Sequence, residues 1–146
     1  MEEKQKFVTA SARETEEVGF NFGKKLAPGN LVILNGQLGA GKTTFVQGVA
    51  KSLSIKSRII SPTFVLVRRH RGKIGIKKIN LYHIDLYRME GVSDINSLGL
   101  DDIFEDVTGI FLIEWGEKHE NLVSNWNVDI NDSGENKRLI QITKNE

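Results

Sequence analysis

The sequence lacks the residues on which several classes of protein depend. It contains no cysteine, which excludes both a disulfide framework and a thiolate metal site. Its three histidines, His70, His83 and His119, are scattered and form no pair with the spacing of metal ligands. No apolar run approaches membrane-spanning length, and the first residues lack the basic-then-apolar order of a signal peptide. We therefore expect a cytoplasmic protein.

The residues that are present have an ordinary globular composition, with 39% hydrophobic and 27% charged side chains. The 146 residues suit a single domain, residues 1–146, with its own core. The net charge of +1 conceals an asymmetry, because residues 1–73 carry 13 basic and 5 acidic side chains whereas residues 74–146 carry 7 and 14.

The most basic segment of the chain lies within residues 68–78. Its members are Arg68, Arg69, His70, Arg71, Lys73, Lys77 and Lys78. Such a cluster can meet RNA or an acidic partner surface. A solvated hairpin tip explains it equally well, so both interpretations stay open.

Hydrophobic periodicity predicts alternating helices and strands in the first part of the chain. Residues 11–14 form a capping box that opens a helix with one apolar stripe, and residues 28–30 end it. Residues 31–34 are a short apolar strand of the kind that is buried on both faces of a parallel sheet. A second helix is expected over residues 42–53.

The rest of the chain is predicted to form mainly strands. Two of them, residues 64–67 and 74–86, suggest a hairpin with a basic turn at residues 71–73. We expect short helical pieces within residues 91–106 and a second apolar strand over residues 110–113. Residues 126–130 and 138–143 should form a terminal antiparallel pair. The predicted fold class is α/β: a P-loop NTPase-like three-layer sandwich with a mostly parallel central sheet, an antiparallel hairpin and C-terminal antiparallel strands.

Residues 36–43 match the phosphate-loop pattern G-x-x-x-x-G-K-[ST] at every fixed position. An apolar strand precedes the motif and a helix-compatible segment follows it, as the motif requires. Glycines let backbone N–H groups turn inward around a phosphate, and the helix N-terminus adds free amides and partial positive charge. Lys42 can bridge the β- and γ-phosphates, while the Thr43 hydroxyl can bind Mg²⁺. The predicted nucleotide contacts in this region are Gly36, Gln37, Leu38, Gly39, Ala40, Gly41, Lys42, Thr43 and Thr44.

A phosphate-loop enzyme also needs a carboxylate near its metal, and two residues compete for this role. Glu114 ends the cleaner apolar strand, whereas Asp85 ends a less apolar one. The strand pattern favours Glu114 as the metal-side group, bound directly or through a water. Asp85 would then hold a water or orient its neighbours, and a purely structural role at the strand end is as good an account of it.

Three further residues lie beside these motifs in the sequence. Trp115 follows Glu114 and could cover a nucleotide, although a core tryptophan is the commoner case. Thr63 could sense a γ-phosphate as a switch element, but a strand-capping turn is the simpler explanation. His83 shares a strand face with Asp85, where a packed, hydrogen-bonded histidine is more common than a catalytic base.

The missing Asn-Lys-x-Asp guanine signature argues for ATP rather than GTP. No acceptor-substrate lid is evident, so a small-molecule kinase is an alternative of lower rank. A nucleotide-gated binding module with little hydrolysis is a third possibility.

Four blocks of sequence together resemble the TsaE (YjeE) family, the P-loop ATPases of tRNA threonylcarbamoyladenosine (t6A) biosynthesis. The blocks are residues 38–45 (LGAGKTTF), 61–64 (SPTF), 83–88 (HIDLYR) and 113–117 (IEWGE). The first is common to many P-loop proteins, whereas the other three are specific in combination. The resemblance spans roughly residues 7–143.

The resemblance implies an ATPase subunit that acts with TsaB and TsaD. In this family TsaD transfers the threonylcarbamoyl group to tRNA, and ATP hydrolysis by TsaE supports repeated turnover of the complex. Carried over by position, Lys42 contacts phosphates, Thr43 and Glu114 hold Mg²⁺, and Asp85 is a carboxylate needed for activity.

The resemblance also assigns residues at the edges of the site. It implies a switch-like segment around Thr63, a site-adjacent Trp115 and an adenine near Ser11. tRNA contact would be indirect or through the basic hairpin. One departure concerns Gln37, because the family usually has Asp there. If that acid assists hydrolysis or metal binding, this chain turns over ATP more slowly.

Overall fold

The computed structural model describes residues 3–37, 41–57, 59, 67–86, 99–115 and 122–145. Ten helices and strands lie within these segments. Their order is β1 (Glu3–Thr9), α1 (Ala12–Gly23), β2 (Leu31–Asn35), α2 (Lys42–Ser52), β3 (Val67–Ile74), β4 (Lys77–Asp85), α3 (Leu100–Phe104), β5 (Gly109–Glu114), β6 (Trp126–Gly134) and β7 (Lys137–Lys144).

The strands form one seven-stranded sheet in the order β1-β7-β6-β2-β5-β4-β3. The central strands β6, β2, β5 and β4 are mutually parallel, whereas β1, β7 and β3 join the sheet through antiparallel pairs. This arrangement confirms the predicted α/β fold with a parallel centre, a hairpin and C-terminal antiparallel strands. It also places the carboxyl ends of the four central strands at one edge of the sheet, where α/β proteins bind ligands.

Apolar side chains cover both faces of the sheet and form two clusters. The larger cluster packs α1 and α2 onto alternate residues of the central strands, such as Leu34, Leu81 and Leu112, all fully buried. The smaller cluster lies on the opposite face, where Phe104 of α3 meets Phe111 of β5 edge to face. Strands β2 and β5 lie at the centre of the sheet and are covered on both faces, so each appears in the sequence as a nearly continuous apolar run.

Helix α1 begins where the capping box predicts. The Ser11 hydroxyl accepts a hydrogen bond from the Glu14 N–H at 3.2 Å, and the Glu14 carboxylate accepts one from the Ala10 N–H at 3.3 Å. Helices α1 and α2 then approach closely through glycines. A Cβ on Gly19 would lie 2.1 Å from the Phe45 carbonyl oxygen, and one on Gly48 would lie 2.0 Å from that of Glu16. Glycine at both positions therefore allows the backbones of α1 and α2 to pack closely together.

Three details differ from the sequence-based expectations. The hairpin turn lies at Gly75 and Ile76, not at residues 71–73, because Gly75 adopts the left-handed conformation at φ 63° while the strands pair from Ile74 to Lys77. The terminal pair turns more tightly than expected, at Glu135 and Asn136, both with positive φ. Strand β1 was not anticipated, because its exposed, lysine-containing sequence has little apolar alternation and pairing with β7 stabilises it.

Among the described segments, none of the helices has the length and apolarity needed to span a bilayer.

Candidate functional site

The predicted phosphate loop connects the end of β2 to the start of α2. Gly36 has φ 154°, and a Cβ there would lie 2.5 Å from the Ile130 carbonyl oxygen, so this position tolerates only glycine without rearrangement. Asn35, just before it, donates a hydrogen bond from Nδ2 to the Asp129 carboxylate at 3.0 Å. The loop is therefore anchored to β6 where it begins, and the exposed Gln37 follows this anchor.

Helix α2 begins directly after the loop. Gly41 is its N-cap at φ 100°, a conformation that L-residues other than glycine rarely adopt, and its carbonyl accepts the first helical bond from the Phe45 N–H. The first turn contains Lys42, Thr43 and Thr44 and no acidic residue. Its amides and the positive end of the helix dipole are therefore available to an anion.

Strand register brings the two candidate carboxylates side by side. Asp85 on β4 pairs with Glu114 on β5, which in turn is adjacent to Leu34 on β2, the second residue before the loop. Alternation along β4 and β5 points both acids to the face covered by α1 and α2, and both are buried. The sheet thus delivers both acids to the edge from which the phosphate loop extends.

Glu114 is the centre of a buried group of ionisable side chains. One carboxylate oxygen lies 3.2 Å from Lys42 Nζ, and the other lies 2.6 Å from His83 Nε2. His83 is completely buried, and the side chains of Lys42 and Glu114 are each only 6% exposed. The structure therefore joins the lysine of the phosphate-loop motif directly to the favoured carboxylate. It also places His83 as a hydrogen-bonded neighbour of that carboxylate.

The environment of Glu114 keeps it ionised despite its burial. Burial alone would raise the pKa of Glu114, but the hydrogen bond and charge of His83, together with Lys42, outweigh that effect and hold the pKa below its usual value. At neutral pH the site therefore contains a buried carboxylate fixed at both oxygens.

Trp115 follows Glu114 with an unusual backbone conformation. Its φ of 61° lies in the left-handed region, which is strained for an aromatic residue. The Lys42 Nζ lies 5.2 Å from the centre of the Trp115 ring, within cation–π range. The predicted site tryptophan is thus in contact with the phosphate-loop lysine.

A second feature of the site is a cavity of about 370 Å³ beside the first turn of α2. Gly41 and Thr44 contribute from the loop side, and Ser11 contributes from the start of α1. Asn136, from the turn between β6 and β7, and Arg138, near the start of β7, also line it. The predicted Ser11 therefore lies beside the loop, whereas Asn136 and Arg138 were missed because only the sheet order brings the C-terminal hairpin to this position.

Some of the predicted site falls outside the described residues, namely Leu38, Gly39, Ala40 and Thr63. Within the described part of the chain, no cluster of three or more His, Asp or Glu residues has an arrangement that would hold a metal ion by itself. Within the described residues, a cation could therefore be bound by individual side chains such as Thr43 and Glu114, together with groups from a ligand.

The sequence matches the model of a known protein family. The family model described as "Threonylcarbamoyl adenosine biosynthesis protein TsaE" matches residues 9–140. The chain belongs to the TsaE family.

Individual relatives agree with this assignment. The TsaE protein of Nostoc sp. is 39% identical over 142 residues, covering 94% of this chain and 85% of the relative. The TsaE protein of Treponema pallidum is 40% identical over 111 residues, covering 76% and 78%. The crystal structure of YdiB from Bacillus subtilis superposes with a TM-score of 0.79 at 29% identity, covering 99% of this chain and 87% of YdiB. The P-loop NTPase-like fold of this TsaE-family chain is therefore shared with a solved relative.

Proposed function

We propose that this TsaE-family chain is a cytoplasmic, ATP-binding and ATP-hydrolysing subunit required for t6A formation in tRNA. In this proposal it acts with TsaB and TsaD to support turnover and does not catalyse the group transfer itself. The observation that carries the ATPase assignment is the contact of Lys42 with Glu114, directly after a glycine-bounded loop and at the first turn of α2. Family membership supports the role in tRNA modification.

Phosphate binding is assigned to the loop and the first turn of α2. The N–H groups of that first turn have no helical partner and can donate to phosphate oxygens. When a nucleotide binds, Lys42 would leave Glu114 and contact the β- and γ-phosphates instead. Its buried positive charge would then be paired with the phosphates. That exchange would release Glu114 for its role beside the metal.

The residues also fit a magnesium ion, although the described protein groups cannot form a complete metal site. Magnesium is usually held by one or two carboxylates, hydroxyls, waters and the phosphates of the nucleotide, so an incomplete protein site is the expected donor set. Thr43 and Glu114 are the groups assigned to it. When bound, Mg²⁺ would neutralise charge that develops on the phosphates during hydrolysis. Asp85, paired in register with Glu114, would orient a water or its neighbours.

The cavity beside α2 is assigned to the base and ribose. It lies next to Gly41 and Thr44, and Ser11 and Arg138 also line it. Trp115 lies on the side of Lys42 and would border the phosphates. The whole nucleotide would therefore extend from the α1–β7 side of the molecule toward the ends of β4 and β5.

One observation also favours a nucleotide-gated binding module with little hydrolysis. Gln37 occupies the position in the loop where the family usually has an acid. The amide cannot act as a base or as an anionic metal ligand. Phosphate release measured with and without the partner proteins separates this alternative from the ATPase.

The decisive experiment compares two lysines of the same helix. Lys42→Ala should lower ATP hydrolysis, measured as phosphate release in the presence of TsaB and TsaD, by at least about 100-fold because it removes phosphate contacts that strengthen in the transition state. Lys51→Ala removes an exposed lysine paired with Glu16 and should leave hydrolysis within about twofold of wild type.

Two results would contradict the proposal. One is Lys42→Ala protein that hydrolyses ATP at the rate of wild type. The other is a wild-type chain that binds no ATP, either alone or with its partners.

A further inference from the structure

The edge strand β3 carries a basic groove on the side of the molecule away from the phosphate loop. The groove has a volume of about 810 Å³. Five of its lining residues are cations and none is a carboxylate; the cations are Lys56, Arg69, Arg71, Lys73 and Lys78. We call this surface the basic groove.

The cations of β3 form a regular row. Arg69, Arg71 and Lys73 are exposed at alternate positions, so their side chains leave the same face of the strand about 6.7 Å apart. Lys78 stands directly opposite Lys73 in the ladder. Like charges facing each other across a ladder destabilise a hairpin, and an anion placed between them would relieve that repulsion.

No described carboxylate neutralises this row. None of the five cations of the basic groove forms an ion pair with an acidic residue in the described part of the chain. Asp106 contacts the lining residues Asn80 and Thr108, but its oxygens already accept hydrogen bonds from Asn80, Tyr82 and Thr108. Arg69 contacts the Tyr82 hydroxyl, which itself donates to Asp106, so the charge that is open to a ligand is that of Lys56, Arg71, Lys73 and Lys78.

The groove is held in place by backbone contacts to the end of α2. The Lys73 N–H donates to the Leu53 carbonyl at 2.7 Å, and a Cβ on Gly72 would lie 2.4 Å from the same oxygen. The Ser57 hydroxyl lies 2.9 Å from His70 Nδ1. These contacts hold the backbone of β3 against the segment that follows α2 and carries Lys56.

We propose that the basic groove binds the phosphate backbone of RNA. A straight row of cations suits a linear anion with regularly spaced charges. The lining offers no exposed aromatic or aliphatic anchor of the kind that dominates protein interfaces, since Ile79 is 2% exposed.

This RNA surface is separate from the nucleotide site. Lys78 lies near the start of β4, whereas Asp85 ends that strand at the phosphate-loop edge. The basic groove runs beside β4 from Lys78 to Tyr82, the partner of Arg69, and stops short of the phosphate-loop edge. One chain can therefore hold RNA and nucleotide together. The inference goes beyond the proposed ATPase and does not depend on hydrolysis.

The test uses two triple variants of equal charge. Arg71→Gln, Lys73→Gln and Lys78→Gln neutralise the basic groove, whereas Lys4→Gln, Lys6→Gln and Lys24→Gln neutralise three exposed cations elsewhere. Fluorescence anisotropy with a labelled tRNA transcript at several KCl concentrations measures binding by the full chain. Binding of a fluorescent ATP analogue serves as the folding control.

The basic-groove variant should bind the transcript at least about tenfold more weakly and lower the slope of log K against log salt by about 2–3, since each lost phosphate contact removes about one unit. The control variant should keep most of the affinity and slope of wild type. Equal losses in the two variants would overturn the proposal, because they would reflect net charge alone.

A second outcome separates RNA from an acidic protein face. Unchanged RNA binding with lost association with TsaB and TsaD would overturn the RNA assignment in favour of a protein contact. In that case Ile76, which is 98% exposed at the hairpin turn and outside the groove lining, should also contribute to the association. Absent ATP binding with intact RNA binding would overturn the proposed ATPase and leave this inference standing.

Discussion

The strand β5 has a carboxylate near each end, and the two differ in what stabilises their charge. Glu114 ends the strand, is buried, and is held by Lys42 and His83. Asp106 precedes the strand, and within the described part of the chain it accepts hydrogen bonds only from neutral groups of Asn80, Tyr82 and Thr108.

Both carboxyl groups have a pKa below the usual value, but the causes are different. For Glu114 the charge and hydrogen bond of His83 and Lys42 overcome burial, whereas for Asp106 hydrogen bonds from Thr108, Tyr82 and Asn80 are sufficient. A lowered pKa by itself therefore does not mark a functional acid. Glu114 differs in that one of its partners is Lys42, the lysine of the phosphate-loop motif, which a nucleotide would draw away in the proposed ATPase.

We predict that the Mg²⁺ dependence of ATP binding and hydrolysis depends on Glu114 and not on Asp106. Glu114→Ala should raise the Mg²⁺ concentration for half-maximal ATP binding or hydrolysis at least about tenfold, because it removes a carboxylate ligand or its water contact. This effect should exceed the loss of ATP binding in Asp85→Ala. Titration with Mg²⁺ at fixed ATP measures it.

Asp106→Asn is the matched control at the other end of β5 and should leave the Mg²⁺ titration unchanged. Equal Mg²⁺ dependence in wild type and Glu114→Ala would remove the metal assignment.

The next effect concerns His83, which we expect to position Glu114. His83→Ala should lower hydrolysis about tenfold, in the range seen when a group that orients a metal-binding carboxylate is removed. Binding of ATP in the absence of Mg²⁺ should change little. His83→Gln keeps an N–H that can reach the carboxylate and should restore part of the activity. No recovery in a folded His83→Gln protein would argue against positioning.

The smallest predicted effect is on the free energy of unfolding, when Asp106 just before β5 is substituted. Asp106→Asn should lower the free energy of unfolding by about 1–2 kcal/mol at pH 7, because charged hydrogen bonds to Asn80, Tyr82 and Thr108 are weakened. The pKa of Asp106 is lower in the folded chain than its unfolded value of about 3.9, so its stabilisation is complete above that value and is lost as the pH falls further.

Urea unfolding at pH 7 and pH 3 tests this dependence. The difference between wild type and Asp106→Asn should narrow at pH 3. A difference of equal size at both pH values would contradict the account of Asp106.

Local patterns predicted much of the fold. The capping box at Ser11, the apolar strand β2 and the glycine-bounded start of α2 were all recognisable because each depends on neighbouring residues. The turn of the β3–β4 hairpin was misplaced by several residues, since a basic segment in a strand looks like a polar turn. Strand β1 was missed because only its pairing with β7 makes it a strand.

The candidate site divides in the same way. Lys42, Asp85 and Glu114 could be selected from the sequence because the phosphate-loop motif and the ends of apolar strands mark them. The contacts that these residues make with other side chains could not be predicted from the sequence. Contact of His83 with Glu114 depends on the register of β4 against β5, and the position of Arg138 beside Gly41 depends on the fold of the C-terminal hairpin.

The sequence by itself determined that a glycine-rich loop lies between a buried strand and a helix, and that the chain belongs among phosphate-loop proteins. These properties follow from backbone freedom, helix capping and periodic burial, which act over a few residues. Only the tertiary structure decided that Glu114 joins Lys42 to His83 and that the cations of β3 and Lys56 share one groove. Those arrangements join residues far apart in the chain, and strand register and helix packing fix them.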